Sequence, residues 1–319
     1  MPKIAIVDKI HQDGINLLKK NPKFECEIIE DISKKNLISK LPAFDGITLR
    51  RGKIDSDILE KCKKLKVISR HGVGFDNVDT KFLKKNNIKL LVTATTTSTS
   101  PAEHIMFMML SISKGINFFD KAVREGQFES VMHMKHNSFE LSSKKVLIIG
   151  FGRIGKKLIK RCLGFEMKVY AYDPYVEKKV IESFGGIKVE NLSDGLKEAD
   201  VISLSVPLTD KTQNMITLDK MKMMKRNAII INTSRGGIVN EKDLNEALEK
   251  KIIFGAGLDV FEKEPPDDKN PLLKNKRVML SPHAATFTQE CLSKMSVETV
   301  QNIIDFFDGK LDQKSIVKI

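Results

Sequence analysis

Val146-Leu147-Ile148-Ile149-Gly150-Phe151-Gly152-Arg153-Ile154-Gly155 decides how this chain is read, because a strand-like apolar run leads directly into a GxGxxG. Alone, that glycine spacing is a weak signal. Here it follows a strand, opens a helix that runs through Cys162, and precedes a second strand that ends in Asp173, 18 residues beyond Gly155. In that context the spacing marks a dinucleotide site. Gly150 permits the tight turn, Gly152 lets a pyrophosphate approach the backbone, and Gly155 lets the helix sit close to the sheet. The helix N-terminus adds N–H donors and a favourable dipole for the anion. Asp173 is placed to bond the ribose hydroxyls, and its charge repels a 2′-phosphate, so NAD is expected over NADP. The alternative is an ordinary tight strand–helix turn, against which Asp173 weighs.

On either side of this motif, short β-branched runs alternate with helical stretches, the pattern of parallel sheets covered by helices. Before the glycine motif, strands are expected at Lys3–Asp8, Phe24–Ile29, Gly46–Leu49, Lys66–Arg70 and Lys89–Val92, with helices at His11–Lys20, Ser33–Leu41, Ser56–Lys61 and Thr80–Asn86. A second series has strands at Val146–Ile149, Lys168–Tyr172, Val201–Ser205, Ala228–Asn232, Phe254–Leu258 and Val278–Leu280. A polar stretch, Thr93–Ser100, and a long helix join the two series. Ser100 is expected to cap that helix, with Pro101 in its first turn and Glu103 three residues after the cap. Met106, Met108 and Met109 read as core or subunit-interface packing and not as a metal site.

The 319 residues suggest two domains. No apolar run approaches the roughly 20 residues of a membrane helix, and Met1 to Asp8 reads as a strand and not as a signal peptide. Cys26, Cys62, Cys162 and Cys291 form no CxxC pair, which points to a reducing, cytoplasmic compartment and away from zinc. The 54 Lys and Arg outnumber the 41 Asp and Glu, so a nucleic-acid partner has to be weighed. Only nine are arginine, the lysines are spread along the chain beside acidic residues, and there is no tryptophan on which bases could stack. A solvated lysine-rich surface, with neither nucleic acid nor membrane as partner, is the better reading.

Three segments follow successive strands of the second series: Thr233-Ser234-Arg235-Gly236-Gly237, Asp259-Val260-Phe261-Glu262-Lys263-Glu264-Pro265-Pro266, and Ser281-Pro282-His283-Ala284-Ala285. In open α/β sheets ligands bind at this carboxyl edge of the strands. Arginine can clamp a carboxylate through two parallel hydrogen bonds, histidine can exchange a proton near neutrality, and a neighbouring glutamate can orient the ring. Each residue has a bland reading when taken singly; jointly, beside a dinucleotide site, they point to proton and hydride chemistry.

Together these segments resemble the D-isomer-specific 2-hydroxyacid dehydrogenase family, and the resemblance spans nearly the whole chain. It also covers Arg70-His71-Gly72-Val73-Gly74-Phe75-Asp76, Ser205-Val206-Pro207-Leu208-Thr209 with Thr212, and Ala102-Glu103-His104. The resemblance implies a Rossmann NAD-binding domain (100–286) inserted into a flavodoxin-like substrate domain (1–99 and 287–319), both open parallel α/β sheets, with a cleft that closes on substrate. It implies Arg235, Glu264 and His283 as the catalytic residues; Glu262 is a near neighbour, but the family carboxylate directly precedes the proline. Cofactor contacts are implied for Gly150, Gly152, Arg153, Ile154, Gly155, Asp173, Pro174, Val206, Pro207, Thr212, Thr233, Ser234, Arg235, Asp259, His283 and Ala285. Substrate contacts are implied for Gly72, Val73 and Gly74, whose N–H groups would hold the carboxylate. No metal is implied. The chain departs from the family at Pro101 and at Ala285-Thr286, away from the catalytic trio.

The substrate has to be read from nearby cations. Arg50 and Arg70 follow adjacent strands, where the chain is similar to 3-phosphoglycerate dehydrogenases that meet a substrate phosphate. Val73 stands where phosphite dehydrogenases have lysine. D-3-phosphoglycerate oxidation is therefore the first expectation, without a C-terminal regulatory domain. Reduction of glyoxylate, hydroxypyruvate or another small 2-keto acid is the alternative. An NADH-sensing protein like the co-repressors built on this fold is disfavoured because no extended termini are seen. The family also suggests a homodimer through the NAD domains, with the helix from Ser100 to Phe119 in the interface.

Overall fold

The computed structural model describes residues 1–319, which divide into two compact units, Met1–Thr97 with Thr286–Ile319, and Ser98–Ala285. In the first unit β1 (Lys3–Val7), α1 (Gln12–Lys19), β2 (Glu25–Ile29), α2 (Lys34–Lys40), β3 (Gly46–Leu49), α3 (Ser56–Leu59), β4 (Val67–Arg70), α4 (Thr80–Lys85) and β5 (Lys89–Val92) follow one another. The strands form one parallel sheet in the order β2-β1-β3-β4-β5. Both faces are apolar and covered. Leu37, Ile58 and Leu83 pack on one side, and Ile15 and Leu18 on the other with Val300 and Ile303 of the C-terminal helix, Gln289–Phe307. That helix lies against α1 so closely that a Cβ on Gly14 would come within 2.5 Å of the Ser296 carbonyl oxygen. The chain order reverses between β1 and β3, so Asp8 and Arg50 open at the switch point, where α/β sheets bind ligands.

The second unit begins with α5 (Thr99–Lys114), α6 (Ile116–Arg124) and α7 (Phe128–Met132). It continues through β6 (Lys145–Ile149), α8 (Arg153–Gly164), β7 (Lys168–Tyr172), α9 (Lys178–Glu182), β8 (Ile187–Lys188), α10 (Leu192–Glu198) and β9 (Val201–Leu204). It ends with α11 (Leu218–Lys222), β10 (Ile229–Asn232), α12 (Glu241–Glu249), β11 (Gly255–Leu258) and β12 (Val278–Leu280). All seven strands are parallel, in the order β12-β11-β10-β9-β6-β7-β8. Strands buried on both faces read as near-continuous apolar runs, and Ile229 to Asn232 are buried at every position. Removing one such side chain, Leu147→Ala for example, costs about 2–5 kcal/mol. In α8 the buried residues Gly155, Leu158, Ile159 and Cys162 recur at helical spacing while the lysines between them face outward.

The start of α5 differs from the sequence expectation. The N-cap is Ser98, without a side-chain cap bond, and Ser100 lies inside the first turn. Its hydroxyl donates to the Ala285 carbonyl at 2.6 Å, and Glu103 pairs with Arg161 at 2.6 Å, so neither serves a capping box. Pro101 is still tolerated because the first helical N–H groups have no intrahelical acceptor. The methionines Met106, Met108 and Met109 are core residues. The two-residue strand β8 was not legible in the sequence.

Candidate active site

The glycine motif sits where the second sheet reverses its chain order, between β6 and β9. Gly150 has φ +95°, and a Cβ there would collide with the Ser205 carbonyl at the end of β9. A Cβ on Gly155 would come within 2.5 Å of the Gly150 carbonyl oxygen, so this glycine lets α8 seat against the turn. Gly152 differs: a Cβ would meet nothing within 4 Å. As N-cap of α8 it offers no side-chain acceptor, so the first-turn N–H groups face that open space without a capping side chain. These features fit a pyrophosphate, whose oxygens would occupy the space and accept those N–H groups.

Asp173 follows β7 and is tied down by two backbone donors, Phe151 N–H to Oδ2 and Tyr175 N–H to Oδ1, each 2.9 Å. Each oxygen keeps a further lone pair for a ribose hydroxyl. Thr212 folds the loop after β9 on itself. Its hydroxyl donates to the Pro207 carbonyl at 2.6 Å and accepts the Thr209 N–H at 2.8 Å. The side chain of Val206 lies against Gly150. Thr233 and Ser234 follow β10, where Asn232 accepts the Ser234 N–H at 3.1 Å and donates to the Arg235 carbonyl at 2.9 Å. Gly236, next to Arg235, has no room for a Cβ against the Phe261 carbonyl, which fixes the spacing of the β10 and β11 loops.

Arg235, Glu264 and His283 stand on the loops after β10, β11 and β12. Nδ1 of His283 lies 2.8 Å from Oε2 of Glu264, and Oε1 accepts the Phe261 N–H at 3.1 Å. Burial pushes the Glu264 carboxyl up, but the His283 hydrogen bond and charge, the Phe261 N–H and the Arg235 charge outweigh it and hold the group below the usual glutamate range. An ionised carboxylate only accepts, so Nδ1 is the donor and neutral His283 presents Nε2 as a proton acceptor. Glu262 is elsewhere: it accepts the Glu241 N–H at 3.0 Å and does not pair with the histidine.

In the first unit, Arg70 donates to the carbonyls of Gly74 at 2.8 Å, Leu49 at 2.5 Å and Arg50 at 2.7 Å. It thereby clamps the 71–74 loop onto the β3 turn. Arg50 reaches the Lys9 carbonyl at 3.2 Å and lies 3.6 Å from the Asp8 carboxylate, which Arg51 engages at 2.7 Å. Asp8 and Arg51 are therefore part of this edge, and the sequence reading did not include them as a pair. Gly72 has φ +139° with open space at its Cβ position, and Val73 is exposed. His71 is buried, and burial, with Arg50 and Arg70 beside it, pushes its pKa down to about 4. A ring so enclosed resists protonation, whereas the side chain of His283 is 48% exposed. Also outside the sequence reading was the role of Asp259: fully buried, it accepts N–H bonds from Ala284 at 2.7 Å and Ala285 at 2.9 Å. His104 lies beside it.

Residues 106–285 match the family model described as D-isomer specific 2-hydroxyacid dehydrogenase, NAD binding domain. The chain is 37% identical over 99% of its length to a D-3-phosphoglycerate dehydrogenase of Methanocaldococcus jannaschii, of which it spans 59%. It is 33% identical over 97% of its length to a glyoxylate reductase of Korarchaeum cryptofilum, of which it spans 94%. Among solved structures, a D-lactate dehydrogenase from Aquifex aeolicus, complexed with NAD and lactic acid, superposes with a TM-score of 0.87 at 28% identity, over 98% of each chain.

Proposed function

The chain belongs to the D-isomer specific 2-hydroxyacid dehydrogenase family, and on that premise we propose that it is an NAD-dependent oxidoreductase moving a hydride between NAD and a D-2-hydroxy acid. Its NAD-binding domain would be residues 100–286 and its substrate domain 1–99 with 287–319. The observation that carries the reading is the 2.8 Å His283–Glu264 pair on the same strand edge as Arg235 and the glycine turn.

In this reading NAD, when bound, supplies the electron-pair acceptor. His283 takes the hydroxyl proton at Nε2 during oxidation and returns it during reduction. Glu264 at Nδ1 fixes the tautomer and offsets the imidazolium charge. Arg235 draws on the developing negative charge of the oxygen or clamps the carboxylate. In the substrate domain, the N–H groups of the 71–74 loop hold the carboxylate, with Arg70 keeping that loop in shape. Asp173 selects NAD over NADP through charge.

D-3-phosphoglycerate is the proposed substrate, supported by the cations at the β1–β3 switch point and by similarity to phosphoglycerate dehydrogenases. One observation favours the second reading, reduction of glyoxylate or hydroxypyruvate: Arg70 donates to the carbonyls of Gly74, Leu49 and Arg50, and Asp8 lies against both Arg50 and Arg51. An NADH-linked assay over a panel of 2-hydroxy and 2-keto acids decides. Arg50→Ala should raise the KM for 3-phosphoglycerate by roughly ten- to a hundredfold, the worth of a charge-assisted bond, and leave glyoxylate nearly unchanged. Equal loss on both acids, or no turnover of phosphoglycerate, transfers the assignment to the second reading. A chain that binds NADH but turns over no acid in the panel would return attention to the NADH-sensing alternative.

A homodimer through the NAD-binding domains is proposed on the apolar side chains left exposed along α5, α6 and α7, among them Phe107, Phe118, Phe128 and Met132. Sedimentation of Phe107→Lys as a monomer beside a dimeric parent would support it. The four free cysteines suit a cytoplasmic setting, and neither nucleic acid nor membrane is proposed as a partner.

A further inference from the structure

His283 has φ +54°, a backbone region that residues other than glycine occupy only when their surroundings impose it. The imposing group is Asp259, at the end of β11. Its main-chain carbonyl accepts the His283 N–H at 2.7 Å, and its carboxylate accepts the next two N–H groups along the turn. The Ser281 hydroxyl supplies a further bond to Oδ1 of Asp259. A carboxylate can only accept, so the hydrogen of that hydroxyl is committed to it.

Ser281 Oγ also lies 2.9 Å from Nε2 of His104. With its own hydrogen spent on Asp259, Oγ can only accept there, so Nε2 of His104 is the donor. The same nitrogen is 3.6 Å from Oδ1 of Asp259. Burial holds the His104 ring below the ordinary imidazole range, with Asp259 opposing, so near neutrality the ring carries one N–H, on Nε2. His104 is set on α5, whose Ala102, Ile105, Met106 and Met108 are packed in the core, and its ring rests against Phe107 at 5.7 Å between centroids. The start of the same helix bonds the far end of the turn through Ser100 and the Ala285 carbonyl. The 281–285 turn is thus gripped by β11 from one side and by α5 from the other.

The geometry points to His104 as a positioning residue that acts through Ser281 and Asp259 to hold the turn presenting His283. This rests on the dehydrogenase reading for its effect on rate, but not for its effect on the turn. It assigns a task to a histidine that the proton-transfer scheme does not use.

The test uses the full chain and two variants. His104→Phe keeps a ring beside Phe107 but drops the donor; His104→Gln loses the ring but keeps an N–H donor near the position of Nε2. Amide exchange across 281–285 in His104→Phe should quicken about tenfold, the worth of one hydrogen bond, while the rest of β11 and β12 exchanges as before. kcat should fall by about the same factor, with KM for the acid and NADH affinity within about twofold of the parent. His104→Gln should recover most of both. If the ring acts only by packing, the order reverses, with His104→Phe near the parent and His104→Gln impaired, and the proposal is overturned. Unchanged exchange in His104→Phe overturns it too, as does quickened exchange with unaltered kcat. If the parent oxidises and reduces no 2-hydroxy or 2-keto acid, it is the functional reading that fails, and the exchange arm still decides whether His104 holds the turn.

Discussion

Folding of the first unit should be tied to the protonation of one histidine. His71 is 6% exposed, and no hydrogen-bond partner reaches its buried Nε2. Burial, joined by the charges of Arg50 and Arg70, lowers its pKa from 6.5 to about 4. Between those two values the unfolded chain binds a proton that the folded chain refuses, so stability falls as pH falls from about 6.5 toward 4 and is fully present above that window. At about 1.4 kcal/mol per pH unit, the loss by pH 4.5 is about 2–3 kcal/mol. His71→Phe replaces the ring with one that cannot titrate and leaves no orphaned nitrogen. Urea unfolding of parent and variant at pH 8 and pH 4.5 isolates the effect, since the other titrating groups are common to both. The parent should lose about 2–3 kcal/mol more than the variant on acidification. Parallel losses in the two proteins would refute the claim that His71 is buried in its neutral form.

The glycine motif separates space for the fold from space for a ligand. Gly155→Ala should destabilise by about 1–3 kcal/mol through overpacking against the Gly150 carbonyl, read as a lowered Tm. Gly152→Ala meets nothing in the fold, so its Tm should hold while NADH affinity, measured by fluorescence titration, drops; a Tm loss equal to that of Gly155→Ala would contradict the reading. Asp173→Asn keeps an acceptor for one of the two N–H groups it binds while removing the charge, and should shift the NAD-to-NADP ratio of kcat/KM toward NADP by about tenfold. A parent that already uses NADP equally well would sink the role given to Asp173.

The two sheets were legible because parallel strands buried on both faces leave short apolar runs, and runs such as Gly46–Leu49 and Val278–Leu280 have the same bounds in sequence and structure. The strand Ile187–Lys188 was missed because two residues at a sheet edge carry no period to detect. The capping box at Ser100 looked sound locally, but bonds to Ala285 and Arg161, remote in sequence, take both of its polar side chains. Likewise nothing near Arg70 in the chain indicates that its guanidinium will gather three carbonyls, two of them about 20 residues away. The Glu264 and Glu262 alternatives lie two residues apart, and proximity to His283 becomes visible only when the β11 and β12 loops are side by side. The sequence around His104 shows no task for it, because its partners Ser281 and Asp259 come from the ends of two strands remote in the chain.

Whether His283 exchanges the substrate proton is decided by steady-state kinetics of His283→Asn. Asparagine tolerates the left-handed backbone of this position better than most residues but cannot take up a proton near neutrality. In this variant kcat should be lower by a factor of about 10²–10⁴, the usual worth of a positioned acid/base, with NADH affinity within about twofold of the parent and Tm little changed. A near-normal kcat in a folded, NADH-binding His283→Asn protein would show that His283 is not the base and move the search to His71.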